Sequence, residues 1–221
     1  MTVPSPRVGV SVIPKSSPSN VSEPQSSPPE IESLSRSQVL ISMAITAIVL
    51  LGISKLWMYV GNVTLFPIRW QPELLPIAIG LSLLIAALSG LLYRVWPAYR
   101  LSTVFYLRLV VRPLRWLDLI WLGILPGMSE ELLFRGTLLP SWGGGWLALG
   151  LTSAAFGAMH LSGRQYWPYA FWAGCVGALL GYSAIATGNL LVPIVAHIST
   201  NILSGALWKW YFSRQDARRD S

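Results

Sequence analysis

The feature that most limits what this chain can fold into is the stretch Ser129 to Gly136, read Ser-Glu-Glu-Leu-Leu-Phe-Arg-Gly, which sets two carboxylates and a guanidinium inside an apolar run. A charge at the centre of a membrane-spanning helix costs roughly 2.5–3.5 kcal/mol on insertion scales, so such groups turn toward the bundle interior and are functional candidates by default. Successive helical residues are rotated by about 100°. Glu130 and Glu131 therefore face different ways, whereas Glu131 and Arg135 sit at i,i+4 and can pair. On this reading Glu131 and Arg135 form a structural ion pair, and Glu130 is left to face a cavity with its charge unspent. Pro126 and Gly127 just upstream are expected to kink or open the helix and let water approach the acid.

Composition sets the surroundings of this motif. The chain is 53% hydrophobic and 11% charged, with a mean hydropathy of +0.54, whereas a soluble protein ordinarily carries about 25% charged residues. An all-α, polytopic transmembrane bundle is expected, and the lipid bilayer is its first partner. The net charge of +7 does not call for nucleic acid, because the basic residues cluster at the ends of apolar runs, as topology requires. The single cysteine, Cys175, excludes an intramolecular disulfide and any cysteine-based metal site.

Residues 1–38 are rich in Ser and Pro, lack an apolar run of signal-peptide type and are expected to form a disordered tail. Residues 39–212 form the membrane domain, and residues 213–221 a basic tail. Six spans are expected: Val39 to Gly61, Leu74 to Tyr93, Leu117 to about Leu139, Trp146 to His160, Tyr169 to Thr187 and Leu190 to Phe212. The segment Arg94 to Arg115 between the second and third holds five arginines and no acid, and by the positive-inside rule it is cytoplasmic. Within it Leu101 to Val111 reads as an interfacial helix whose arginines meet lipid headgroups. Six spans put both termini and nearly all the arginine on the cytoplasmic side, as in an integral multi-pass protein of a bacterial-type plasma membrane. Gly174, Gly177 and Gly181 mark a close-packing face in the fifth span.

Three further polar residues lie where the membrane should exclude them. His160 closes Phe156-Gly-Ala-Met-His160, and His197 and Asn201 share one helical face at i,i+4 after Pro193. Either histidine alone reads equally well as an interhelical hydrogen-bond partner. One acid, two imidazoles and an amide on three apolar helices are a costly set to keep for packing, and they point to a shared polar site. Counting about 1.5 Å per residue puts Glu130 and His197 nearly level, with His160 about 10 Å nearer the cytoplasm.

Glu130-Glu131-x-x-x-Arg135, Phe156-x-x-x-His160 and His197-x-x-x-Asn201, in this order over residues 117–210, resemble the signature of the CPBP family. That family comprises type II CAAX prenyl proteases and bacteriocin-processing or immunity proteins. The resemblance implies an intramembrane endopeptidase acting on a membrane-associated peptide or protein, CAAX-type prenylated or bacteriocin-like. Its catalytic residues then fall on Glu130, His160, His197 and Asn201. Two versions stay open. In a metal-free one Glu130 is the general base, His160 helps to orient water, and His197 and Asn201 donate to the oxyanion. In the other, Glu130, His160 and His197 ligate one divalent metal such as zinc. No Gly-x-Ser-Gly occurs, and Asp118, Asp216 and Asp220 lie outside the span interiors, which argues against serine and aspartyl intramembrane proteases. The rival class is a proton or cation transporter, or a non-proteolytic scaffold or immunity protein, using the same buried acid and histidines.

Overall fold

Helix boundaries follow local chemistry throughout. The structure, a computed structural model, describes Met1 and residues 34–219, so the tail expectation for residues 2–33 and the last two residues of the basic tail lie outside the described residues. Helix α1 (Arg36–Gly61) opens on a reciprocal cap, in which Ser35 Oγ accepts from the Gln38 N–H and the Gln38 side chain accepts from the Ser35 N–H. The helix thus begins ahead of Val39, where the apolar run starts. It ends at Asn62, whose left-handed backbone (φ 48°) turns its N–H back onto Met58 O.

Helix α2 (Leu75–Val95) is followed at once by α3 (Pro97–Tyr106). Trp96, preceding a proline, is forced into an extended conformation, and Pro97 starts the next helix. A π-helical stretch, Leu107–Val111, continues α3. The segment expected to lie at the interface is therefore helical, but the helix starts earlier and part of it is buried: Tyr99 and Ser102 are covered, and Tyr99, Thr103 and Tyr106 line a cavity.

Helix α4 (Leu119–Glu131) carries Pro126 without breaking and passes through a second π-helical stretch, Leu132–Leu138, into the short α5 (Leu139–Ser141). The opening anticipated at Pro126 thus falls after the glutamates. In the wide turn Leu132 O accepts from the Thr137 hydroxyl, which meets Ser54 of α1 at 2.6 Å. After a glycine turn come α6 (Trp146–Met159), α7 (Trp167–Thr187) and α8 (Leu191–Arg219).

The described residues are helical, with no strand. Four helical segments are long and apolar enough to cross a membrane, Arg36–Gly61, Pro72–Val95, Arg164–Thr187 and Leu191–Arg214, and Trp146–Met159 is a shorter apolar helix. Large apolar side chains such as Ile41, Ile45, Ile48, Leu83 and Leu84 stay exposed on α1 and α2, which suits a lipid-facing surface. Tight crossings bring the helices together. A Cβ on Gly127 would lie 2.5 Å from Ile198 Cγ1 of α8, and one on Gly157 would lie 2.7 Å from Ala170 O of α7, so only glycine lets these helices approach so closely.

Two polar ties hold opposite ends. At one end Arg36 donates through Nε and Nη2 to both carboxylate oxygens of Asp118, at 2.6 and 2.7 Å, joining the start of α1 to the turn ahead of α4. The hydrogen bond from Arg36 holds the Asp118 carboxyl down at about 2, against the opposing effect of burial. Because the folded value is lowered, this contribution is present above the usual carboxylate value and is lost as pH falls toward 2. At the other end the fully buried Asn189 donates to Arg69 O (2.7 Å) and Gln71 Oε1 (2.8 Å) and accepts from the Arg69 and Leu191 N–H groups. This residue fastens the α1–α2 loop to the α7–α8 turn. Asn189→Leu leaves those groups unsatisfied at about 1–3 kcal/mol each, so the purified protein should melt clearly lower in detergent; an unchanged melting temperature would show that the latch is dispensable.

Candidate active site

Glu131 and Arg135 lie one turn apart on the α4 helix, with side chains 0% and 1% exposed and Arg135 Nη1 donating to Glu131 Oε1 at 2.8 Å. Arg135 Nη2 donates to Gly177 O of α7 at 2.9 Å, and its guanidinium lies 4.4 Å from the centre of the Phe156 ring. A Cβ on Gly177 would stand 3.0 Å from Arg135 Nη2. The fifth-span glycine therefore makes room for a guanidinium as well as for a helix.

The same Glu131 Oε1 is 2.7 Å from His197 Nδ1. A carboxylate only accepts, so Nδ1 carries the proton, and a neutral His197 presents a bare Nε2. That nitrogen points toward Glu130, with Nε2 to Oε2 at 3.9 Å. Glu130 is 8% exposed, and its Oε2 has no hydrogen-bond partner. The two glutamates thus differ in their partners: Glu131 meets Arg135 and His197 through Oε1, Glu130 makes neither bond, and the Oε2 of each is buried without a hydrogen-bond partner. Glu131 holds more than the arginine; sequence spacing could not reveal its bond to His197, because α8 is distant in the chain.

His160 caps α6, and its Nδ1 is 2.8 Å from Phe156 O, a carbonyl that only accepts, so here too a neutral ring leaves Nε2 bare. Its own carbonyl accepts from the Tyr106 hydroxyl of α3, which in turn accepts from the Ser162 N–H at 3.0 Å. The Phe156 ring lies 4.7 Å from the His160 ring and 6.0 Å from that of His197. Both imidazoles thus share one aromatic neighbour. Tyr106 is the part of the site that the sequence did not single out, since an aromatic in an apolar run looks like ordinary packing; Phe156 was marked only as the first residue of the His160 motif.

Asn201 Nδ2 is 3.5 Å from Leu122 O, a long contact. Pro126, four residues on, has no N–H to offer that carbonyl. Part of the Asn201 amide thus serves α4 itself.

His160, His197 and Asn201 line a cavity of about 720 Å³ between α2, α3, α6, α7 and α8, together with Tyr93, Tyr169 and Trp208. Glu130 is not part of that lining; it stands behind His197. Among the described residues no three His, Cys, Asp or Glu side chains are grouped to hold a metal ion. Glu130, His160 and His197 as arranged here therefore do not make a three-ligand site.

Removing one partner of a buried charge pair costs about 3–5 kcal/mol in soluble proteins. Glu131→Gln and Arg135→Met should each lower folded yield and melting temperature, and Glu131→Gln should also free His197. Normal stability of both variants would argue that the pair contributes little.

Residues 112–203 match the family model described as type II CAAX prenyl endopeptidase Rce1-like. No curated protein and no solved structure matches the chain.

Proposed function

We propose that this chain, a member of the Rce1-like family of type II CAAX prenyl endopeptidases, is an integral membrane endopeptidase that uses Glu130 to activate water against a peptide bond of a membrane-associated substrate. The observation that carries this reading is the pairing of an unpartnered, buried Glu130 Oε2 with His197 Nε2 at 3.9 Å. That separation is too long for a direct hydrogen bond and suits one water touching both groups.

In this mechanism the substrate carbonyl enters from the cavity side and Glu130 acts from behind. Water attacks the carbonyl carbon as Glu130 takes its proton, and the same carboxyl then returns the proton to the departing amine. Glu131 orients the imidazole of His197 through Nδ1, as a carboxylate orients a catalytic histidine elsewhere. With Nδ1–H given to Glu131, a neutral His197 accepts at Nε2 and donates there only once protonated. The oxyanion is therefore met by the remaining amide hydrogen of Asn201, while neutral His197 accepts at Nε2 the second hydrogen of the attacking water. His160, with its bare Nε2, holds a second edge of the water or of the leaving group.

Six crossings with both termini cytoplasmic fit this site. The Arg36–Asp118 tie joins the starts of the first and third spans at one face, and the Asn189 latch joins two loops at the other. Arg108 is exposed on the basic segment, unlike the buried Ser102. A lone cysteine at Arg108, in a Cys175→Ser background, should resist an impermeant reagent applied outside intact cells; labelling from outside would overturn the orientation.

Glu130→Gln keeps shape while removing the proton acceptor, so cleavage of a transmembrane or prenylated peptide should vanish while the melting temperature holds. His160→Ala and His197→Ala should join it, and the Glu130/His160 double variant should be scarcely worse than either single one. A chelator series run alongside reads metal dependence directly. Full activity in Glu130→Gln would end the protease assignment for this site, and Glu130-dependent flux in liposomes would then favour transport.

A further inference from the structure

Glu130, His197 and Asn201 lie inside helices, but His160 does not. It is the C-cap of α6, where the backbone (φ −89°, ψ 8°) has already left the helical conformation. Its N–H turns back to Gly157 O at 3.0 Å, and its ring has one hydrogen bond, to Phe156 O. Carbonyls at a helix end have no partner within the helix, and the residues that follow, Leu161 and Ser162, are exposed. The direction of the imidazole therefore depends on what holds this turn.

Tyr106 holds it. Its hydroxyl donates to His160 O and accepts from the Ser162 N–H at 3.0 Å, so one oxygen clamps the peptide groups on both sides of Leu161. Its ring stacks on Tyr169 at 4.3 Å, and the Tyr169 ring lies 6.1 Å from that of His160. Tyr106, Tyr169 and His160 all line the cavity. Tyr106 thus reaches His160 twice, through its carbonyl and through a ring that borders its imidazole. A tyrosine kept for packing needs one partner for its hydroxyl. This one commits both its donor and an acceptor site to the turn that carries His160. The neighbouring Phe105 stacks on Tyr166 at 3.9 Å in the same contact between α3 and the α6–α7 turn, but it has no polar atom to offer. Tyr106 ends α3 and stands ahead of residues 112–203, so the family match does not reach it.

We propose that Tyr106 is a positioning residue: by clamping the turn after α6 it sets the direction in which His160 presents Nε2 to the cavity, and its effect on hydrolysis passes through His160. The effect on rate rests on the endopeptidase reading; the effect on the imidazole does not.

The test reads the two separately in the purified full-length chain in liposomes. The chain has two histidines, so isotope labelling of the imidazole nitrogens gives two sets of magnetic-resonance signals, assigned with His160→Ala and His197→Ala. Tyr106→Phe keeps the ring on Tyr169 and removes both hydrogen bonds. It should move the His160 signals and leave those of His197 in place. With a prenylated peptide as substrate, kcat should fall roughly tenfold or more at nearly unchanged KM, within what a small misplacement of a reacting group costs. Phe105→Leu should lower the melting temperature but leave kcat and the His160 signals unchanged. Unmoved His160 signals in Tyr106→Phe overturn the clamp. So does a loss confined to KM, or an equal loss of kcat in Phe105→Leu, which general packing would give. If wild type cleaves no peptide, the protease reading fails, and the ring signals alone decide the positioning. If Tyr106→Phe does not fold, difluorotyrosine introduced at position 106 takes its place, with nearly the same shape and a more acidic hydroxyl: a shift of the His160 signals supports the clamp, and its absence overturns it.

Discussion

The structure depends on one carboxylate. Glu131, fully buried, holds the Arg135 guanidinium on its own helix and the His197 imidazole on α8 through the same oxygen. Buried charges are tolerated only when paired and hydrogen-bonded, and this one is met by a cation and an imidazole N–H. Arg135 carries the connection on to α7 through the Gly177 carbonyl and to α6 through the Phe156 ring. Four helices are thereby tied to one group, and the tie fixes which way His197 turns its other nitrogen. Glu130, beside it in sequence, meets the same imidazole only at 3.9 Å, through Nε2.

The aromatic side chains give the site its second layer. Phe156 touches the guanidinium on one side and both imidazoles on the other, while Tyr106 fastens the His160 carbonyl and stacks on Tyr169 at 4.3 Å. The amphipathic α3 therefore has two faces: Arg100 is exposed, and Tyr99, Thr103 and Tyr106 line the cavity. Helices that meet through glycine bring these rings close without widening the bundle.

Much of this was legible in the sequence for a simple reason. An apolar chain cannot hide ionisable groups, so Glu130, Glu131, Arg135, His160, His197 and Asn201 stand out by cost alone, and i,i+4 spacing anticipates the Glu131–Arg135 contact. Most helix positions were legible to within a few residues because apolar runs end at a proline, glycine or capping side chain, but α8 runs on to Arg219, through the segment expected to be a tail after Phe212. What spacing could not supply was any contact between distant helices. The bond from His197 to Glu131, the fourfold role of Asn189 and the donation of Asn201 to the carbonyl left by Pro126 all join residues far apart in the chain. The long π-helical turn after the glutamates was equally hidden, since Leu132 to Leu138 has no proline and reads as ordinary helix.

That turn has a consequence for how this chain can vary. A π-helical stretch holds more residues per turn than the α-helix on either side of it, so it stores slack in the backbone. Deleting a single residue there would draw on that slack, and the stretch would relax to plain α-helix while the helix beyond it kept close to its present facing. Inserting one between Glu131 and Gly136 has no such reserve: everything beyond would rotate by about 100° relative to the glutamates, swinging Thr137 away from Ser54 and the Gly136 carbonyl from the Phe66 N–H it now accepts. The segment should tolerate shortening by one residue far better than lengthening.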